Sequence, residues 1–140
     1  MGKKSNSTVQ YNRFIRKKRL LTILSAILLI PVGLYTKFYT GFGAEWVHNS
    51  LGGVIYVIFW CLIVYFLFPL GRIIRIAVGV LLVTCCLEFT QLWNTPFLAM
   101  IRSTFAGRAM IGSSFSWLDF PYYFMGAVLG SFWMWIISKV

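Results

Sequence analysis

The residues able to do chemistry in this chain are few, and they gather in one stretch. Glu88 and Gln91 stand three positions apart in "CCLEFTQLW", residues 85–93, and Asp119 follows in "SWLDFPYYF". A spacing of three puts Glu88 and Gln91 on one helical face. Two carboxylates at one place can serve as acid and base, and a glutamine amide between them both donates and accepts hydrogen bonds. Arg102, from the intervening segment, would pair with a phosphate or carboxylate on a ligand, or reach back to Glu88 or Asp119. Tyr122 and Tyr123 follow Asp119 by about one helical turn and would line the same pocket. These six residues, Glu88, Gln91, Arg102, Asp119, Tyr122 and Tyr123, form the candidate ligand site. Gly126 and Gly130 continue the Asp119 face as "GAVLG", a GxxxG spacing that lets a second helix approach closely.

What surrounds these residues narrows the chemistry. No nucleophile motif or phosphate loop accompanies the carboxylates, and Ser113, Ser114 and Ser116 read as loop formers. Catalysis is therefore the less favoured reading, and no catalytic residue is assigned. Neither a metal nor a cofactor is expected. The three cysteines, Cys61, Cys85 and Cys86, have no CxxC spacing, and His48 has no Cys or acid at ligand spacing.

The elements that must position the cluster are membrane helices. Of the 140 residues 59% are hydrophobic and 11% charged, and the mean hydropathy is +0.79; composition of this kind belongs to a membrane protein. A span needs about 20 mostly apolar residues to cross a core of about 30 Å, and the stretches 20–39, 51–70, 73–93 and 117–138 meet that length. The first follows a basic region, as in a signal peptide. No small-residue cleavage pattern comes after it, so it reads as an uncleaved anchor kinked near Pro31. The expected fold is all-α: four transmembrane helices over residues 20–140, preceded by a basic cytoplasmic segment, residues 1–19. Gly2 does not signal myristoylation, because Asn6 stands where that pattern wants Ser or Thr.

Between the third and fourth spans, "NTPFLAMIRSTFAGRAMIGSSFS" is too long for a simple turn. Thr95 before Pro96 reads as a helix start. The alternation of apolar residues with Arg102 and Arg108 predicts a short interfacial helix, broken at Gly107 and Gly112.

Charge sets the orientation. The net charge is +10, with three acids against thirteen bases, and seven of those bases precede residue 20. That block reads as a positive-inside signal attracted to anionic headgroups rather than as a nucleic-acid site. With Arg72, Arg75 and Lys139 it puts ten bases on one side, against Lys37, Arg102 and Arg108 on the other, which predicts cytoplasmic N- and C-termini. Trp46, Trp93 and Trp117 then mark the outer boundary. Counted from Ile73 at about 1.5 Å per residue, Glu88 lies roughly 22 Å into its span, in the outer third and at the depth of Asp119. A charged residue in mid-span costs about 2.5–3.5 kcal/mol, so the acids are expected to face protein.

The succession "EFTQLW", "MIRSTFAGRAMIGSSF" and "SWLDFPYYFMGAVLG" resembles the family of unknown function numbered DUF2809, small bacterial membrane proteins related to the VanZ-like group. The resemblance covers the second to fourth spans and, more loosely, the first. It implies a bacterial inner (plasma) membrane protein whose characteristic polar residues match Glu88, Gln91, Arg102, Asp119 and Gly126. For the VanZ-like group it further implies an association with glycopeptide resistance, without a settled activity.

The expectation drawn from residues and resemblance together is an outward-facing polar site for an envelope lipid, a cell-wall precursor or a glycopeptide-like ligand. Membrane lipids are the expected partners, and an oligomer is open. A structural reading stands beside it, a scaffold or subunit of an envelope complex in which the polar cluster is interhelical glue. Proton-coupled transport through Glu88 would need an oligomer, since four spans without an evident repeat or inner-side acid make no pathway.

Overall fold

The computed structural model describes residues 2–112 and 115–140. In chain order the helices are α1 (Gly2–Phe38), α2 (Ala44–Trp46), a π-helical turn (Val47–Leu51), α3 (Gly52–Leu67), α4 (Ile73–Thr90), α5 (Pro96–Ser103), α6 (Phe105–Ile111) and α7 (Asp119–Ser138). No strand occurs among the described residues. Four stretches, Ser7–Phe38, Ala44–Leu67, Ile73–Thr90 and Asp119–Ser138, are long and apolar enough to cross a membrane. The chain is an all-α, polytopic membrane protein.

Two boundaries differ from those expected. α1 has 37 residues, about 55 Å of helix, and so outruns a hydrocarbon core of about 30 Å. The basic stretch before Leu20 is on the same helix as the first span, and Pro31 lies inside that helix without ending it. The second span starts at Ala44 rather than at residue 51. The added turns include the five-residue π segment, whose wider winding is common near functional sites.

α3 is the centre of the bundle. It packs on α1 and α7, and α4 leans on α7. Val57, Cys61, Leu62 and Tyr65 of α3 are all but inaccessible. The α3–α7 contact is close because α7 offers glycine there. A Cβ on Gly126 would come within 2.8 Å of the Val54 carbonyl oxygen and 2.8 Å of Val57 Cβ, and one on Gly130 within 3.1 Å of Cys61 Sγ. The GxxxG face therefore receives α3.

The interfacial segment is two short helices. Thr95 begins α5, its hydroxyl accepting from the Leu98 amide at 3.3 Å, with Pro96 in the first helical position. The break falls at Thr104, not Gly107. Thr104 is extended, and its hydroxyl accepts from the Gly107 amide at 3.0 Å to start α6. Gly107 is needed for a different reason, since a Cβ there would collide with the Ile101 carbonyl at the end of α5. This tight reversal folds α6 back over the end of the bundle.

Candidate functional site

Glu88 is the polar centre of the end of the bundle where α4 stops and α7 begins. It is 2% exposed, and its carboxylate accepts three hydrogen bonds from three parts of the chain. Gln91 Nε2 donates to Oε2 at 2.9 Å, the Tyr123 hydroxyl donates to Oε2 at 2.7 Å, and the Ser116 amide donates to Oε1 at 3.0 Å. The Gln91 bond follows from the helical spacing of three. The Tyr123 bond joins α4 to α7 and depends on Gly53 of α3, where a Cβ would sit 3.0 Å from Tyr123 Cε1. The Ser116 bond depends on an aromatic cluster that presses the 115–118 stretch onto the end of α4. Phe115 and Trp117 lie edge to face at 5.0 Å, and Phe89 lies 5.5 Å from Phe120. No cation takes part, so neutral donors alone meet the buried acid.

Gln91 does double duty. Its Nε2 also donates to the Ile111 carbonyl at 2.9 Å, which fixes the amide orientation, because both partners of that nitrogen are acceptors. Its Oε1 is then buried with no donor among the described residues, an arrangement normally costly enough to be avoided. Gly112 makes the contact possible. Its φ of 84° and ψ of 168° lie in a region open essentially to glycine alone, and a Cβ there would come within 2.5 Å of Gln91 Nε2. Gly112→Ala is expected to displace the Gln91 amide and to cost about 1–3 kcal/mol from backbone strain. Thermal unfolding in mild detergent checks this, and an unchanged melting point would refute it.

Around this network lies a cavity of about 260 Å³ walled by α1, the π turn, α3, α4, α6 and α7. Glu88, Gln91, Asp119 and Tyr123 line it together with Lys37, His48, Asn49 and Arg108. His48 Nε2 contacts the Tyr39 carbonyl at 2.6 Å, which ties the π turn to the end of α1. Phe38 and Phe105 stack at 6.0 Å and join α1 to α6 at the rim. No hydrogen bond or ion pair to another described residue engages the side chains of Asp119, Lys37 or Arg108, although all three face the same space.

The structure thus brings Glu88, Gln91, Asp119 and Tyr123 together and leaves two of the expected residues outside. Arg102 does not reach either carboxylate. Its Nη2 donates to the Thr90 carbonyl at 3.3 Å, capping the end of α4 where a cation complements the helix dipole, and its Nε is buried without a partner among the described residues. Tyr122 turns to the other side of α7, where its hydroxyl accepts from Trp46 Nε1 at 3.0 Å. Ser113 and Ser114 lie outside the described residues, and Ser116 enters through its backbone amide rather than its hydroxyl. Gly53, Gly112, Lys37 and Arg108 belong to the cavity and were not among the expected site residues. The three bases grouped by sequence at this end of the spans carried a usable signal, since Lys37 and Arg108 are two of them; choosing among them required the reversal at Thr104.

Residues 42–127 match the model of a family described as Protein of unknown function (DUF2809). No curated protein matches the chain, and no solved structure does.

Proposed function

We propose, for a chain that belongs to the DUF2809 family, that the cavity beside Glu88 binds the polar head of an envelope ligand at the outer face of a bacterial inner membrane. The observation that carries this reading is a set of groups that face one space without a hydrogen bond or ion pair to another described residue. Lys37 and Arg108 offer cationic donors, Asp119 offers a carboxylate, and the buried Gln91 Oε1 lacks a donor among the described residues. A ligand bearing a phosphate or carboxylate together with an amine or hydroxyls would meet all four. Lipid headgroups, lipid-linked cell-wall precursors and glycopeptides share that chemistry. The orientation rests on the excess of bases at the opposite end, with both termini cytoplasmic.

A structural role is the second reading, favoured by one specific observation: the Glu88 carboxylate is saturated by protein donors from α4, α7 and the 115–118 stretch. In that case the network holds the bundle for an envelope complex, and the cavity is incidental.

Ligand-induced thermal stabilisation separates the two. A ligand that binds only the folded chain raises its melting point in proportion to the logarithm of its concentration above Kd. Phosphatidylethanolamine, a lipid-linked disaccharide-pentapeptide precursor and a glycopeptide antibiotic are suitable probes in mild detergent. The combined variant Lys37→Gln/Arg108→Gln is expected to change the unliganded melting point little, because neither side chain makes a hydrogen bond or ion pair with another described residue, and to lose about tenfold or more in affinity for the probe that stabilises the native chain. No stabilisation by any probe, or equal stabilisation of the variant, would leave the structural reading.

A further inference from the structure

A second recess adjoins the polar cavity. Between α3 and α4 runs an open, apolar groove of about 710 Å³, within the usual size range of small-ligand sites. Trp60, Val64 and Phe68 form its α3 wall at successive spacings of four, and Ile76, Gly79 and Val83 form its α4 wall. The outer end is closed. Met110 and Ile111 of α6 lie across it, held by the Tyr56 hydroxyl donating to the Met110 carbonyl at 2.8 Å and by Gln91 donating to Ile111. The opposite end carries Arg72 and Arg75, both exposed and neither with a side-chain partner among the described residues.

Gly79 is the informative residue in this groove. Glycine is the poorest helix former after proline, and Gly126 and Gly130 are explained by the close approach of α3. Nothing explains Gly79 in the same way, since a Cβ placed there would meet no atom within 4 Å. It is a gap in the middle of a membrane helix that the protein itself does not fill. A guest lying in the groove would come closest to α4 at that point.

We infer that the α3–α4 groove is a binding site for one anionic phospholipid, its headgroup held by Arg72 and Arg75 and an acyl chain lying along Gly79. The charge pair selects the headgroup, because guanidinium groups pair with phosphate through parallel N–H donors. The closed outer end selects the direction, with the chain entering from the arginine side or laterally from the bilayer. Gly79 lies about 6 Å along the helix from Arg75, the depth at which an acyl chain begins below a bound headgroup. The groove shares Tyr56, Thr84, Leu87, Met110 and Ile111 with the wall of the Glu88 cavity but opens toward Arg72 and Arg75, and its occupant's headgroup belongs to the opposite leaflet.

Native mass spectrometry of the full chain, released from micelles containing equal amounts of dioleoyl-phosphatidylglycerol and dioleoyl-phosphatidylcholine, tests the inference. One phosphatidylglycerol is expected to be retained in preference to phosphatidylcholine by about thirtyfold, the effect of two surface arginines on an anionic lipid. Arg72→Gln/Arg75→Gln should remove most of that preference, leaving only the share due to the basic end of α1, which also attracts anionic lipid and is untouched by the change; this is the decisive comparison. Gly79→Trp should abolish retention of either lipid while the melting point stays the same, since the indole enters empty space. The inference is overturned if the native chain shows no headgroup preference, if the arginine variant keeps it, or if Gly79→Trp leaves lipid retention intact. It is equally overturned if Gly79→Trp splits a dimer, which would give the groove to a second copy of the chain.

Discussion

Glu88→Gln is expected to lower the melting point in mild detergent, while Asp119→Asn leaves it unchanged or raises it. The two acids line one cavity, but their surroundings are opposite. Glu88 faces three donors, and a carboxylate accepts from all of them. A glutamine in its place has one acceptor oxygen and an NH2 group that must point at a donor. Turned one way, the amide confronts the Ser116 N–H; turned the other way, it confronts Gln91 Nε2, which cannot rotate away without abandoning the Ile111 carbonyl. One buried donor is left unmet in either case, at a cost of about 1–3 kcal/mol. Asp119 has no hydrogen bond to lose, and removing a charge near the membrane interface relieves a desolvation cost. A split between the variants, with Asp119→Asn also weakening ligand binding, supports an acid kept for a ligand. Parallel destabilisation would mean that Asp119 has a structural partner, and the proposed role of that residue would fall.

Gly126→Leu is expected to have the larger effect, loss of the folded bundle, and Gly126→Ala to destabilise it by about 3 kcal/mol, the upper part of the range for overpacked cores. The reason is what the new atoms meet. A Cβ on Gly126 falls 2.8 Å from a backbone carbonyl of α3 and 2.8 Å from Val57 Cβ. Neither can swing aside as the end of a flexible side chain does, so α7 would have to retreat along the whole contact. Because Tyr123 is on the same helix, that retreat would also pull its hydroxyl from Glu88. Detergent-solubilised yield by size-exclusion chromatography reads the leucine variant, and thermal unfolding reads the alanine variant. A monodisperse, fully stable Gly126→Leu protein would show that α3 does not lie where it is described.

Much of this was legible in the residues. Four apolar stretches, the Glu88–Gln91 spacing, the Thr95–Pro96 helix start and the GxxxG face of α7 are local patterns, and the forces behind them act over one or two helical turns. The failures are of one kind. The sequence offers Arg102 either to a ligand's phosphate or carboxylate or to Glu88 and Asp119, but an arginine has a long reach, and its destination depends on how its helix is placed. From α5 its guanidinium meets the Thr90 carbonyl at the end of α4. Tyr122 and Tyr123 are adjacent, so only one could face the cavity; the side on which α3 approaches made it Tyr123.

The sequence by itself determined the membrane character, the all-α class and the placement of Glu88 and Asp119 near one end of their helices. Those follow from composition, hydrophobic length and short-range periodicity, which no packing can reverse in a bilayer that demands satisfied backbone groups. The tertiary structure alone decided which charges share a cavity, which glycines are gaps and which are contacts, and that Glu88 is met by neutral donors. Each of these depends on distances between residues far apart in the chain, from Glu88 to Tyr123 or from Gly126 to Val54. Such distances arise only when helices of given length and small-residue faces settle against one another, and a list of residues carries no measure of them.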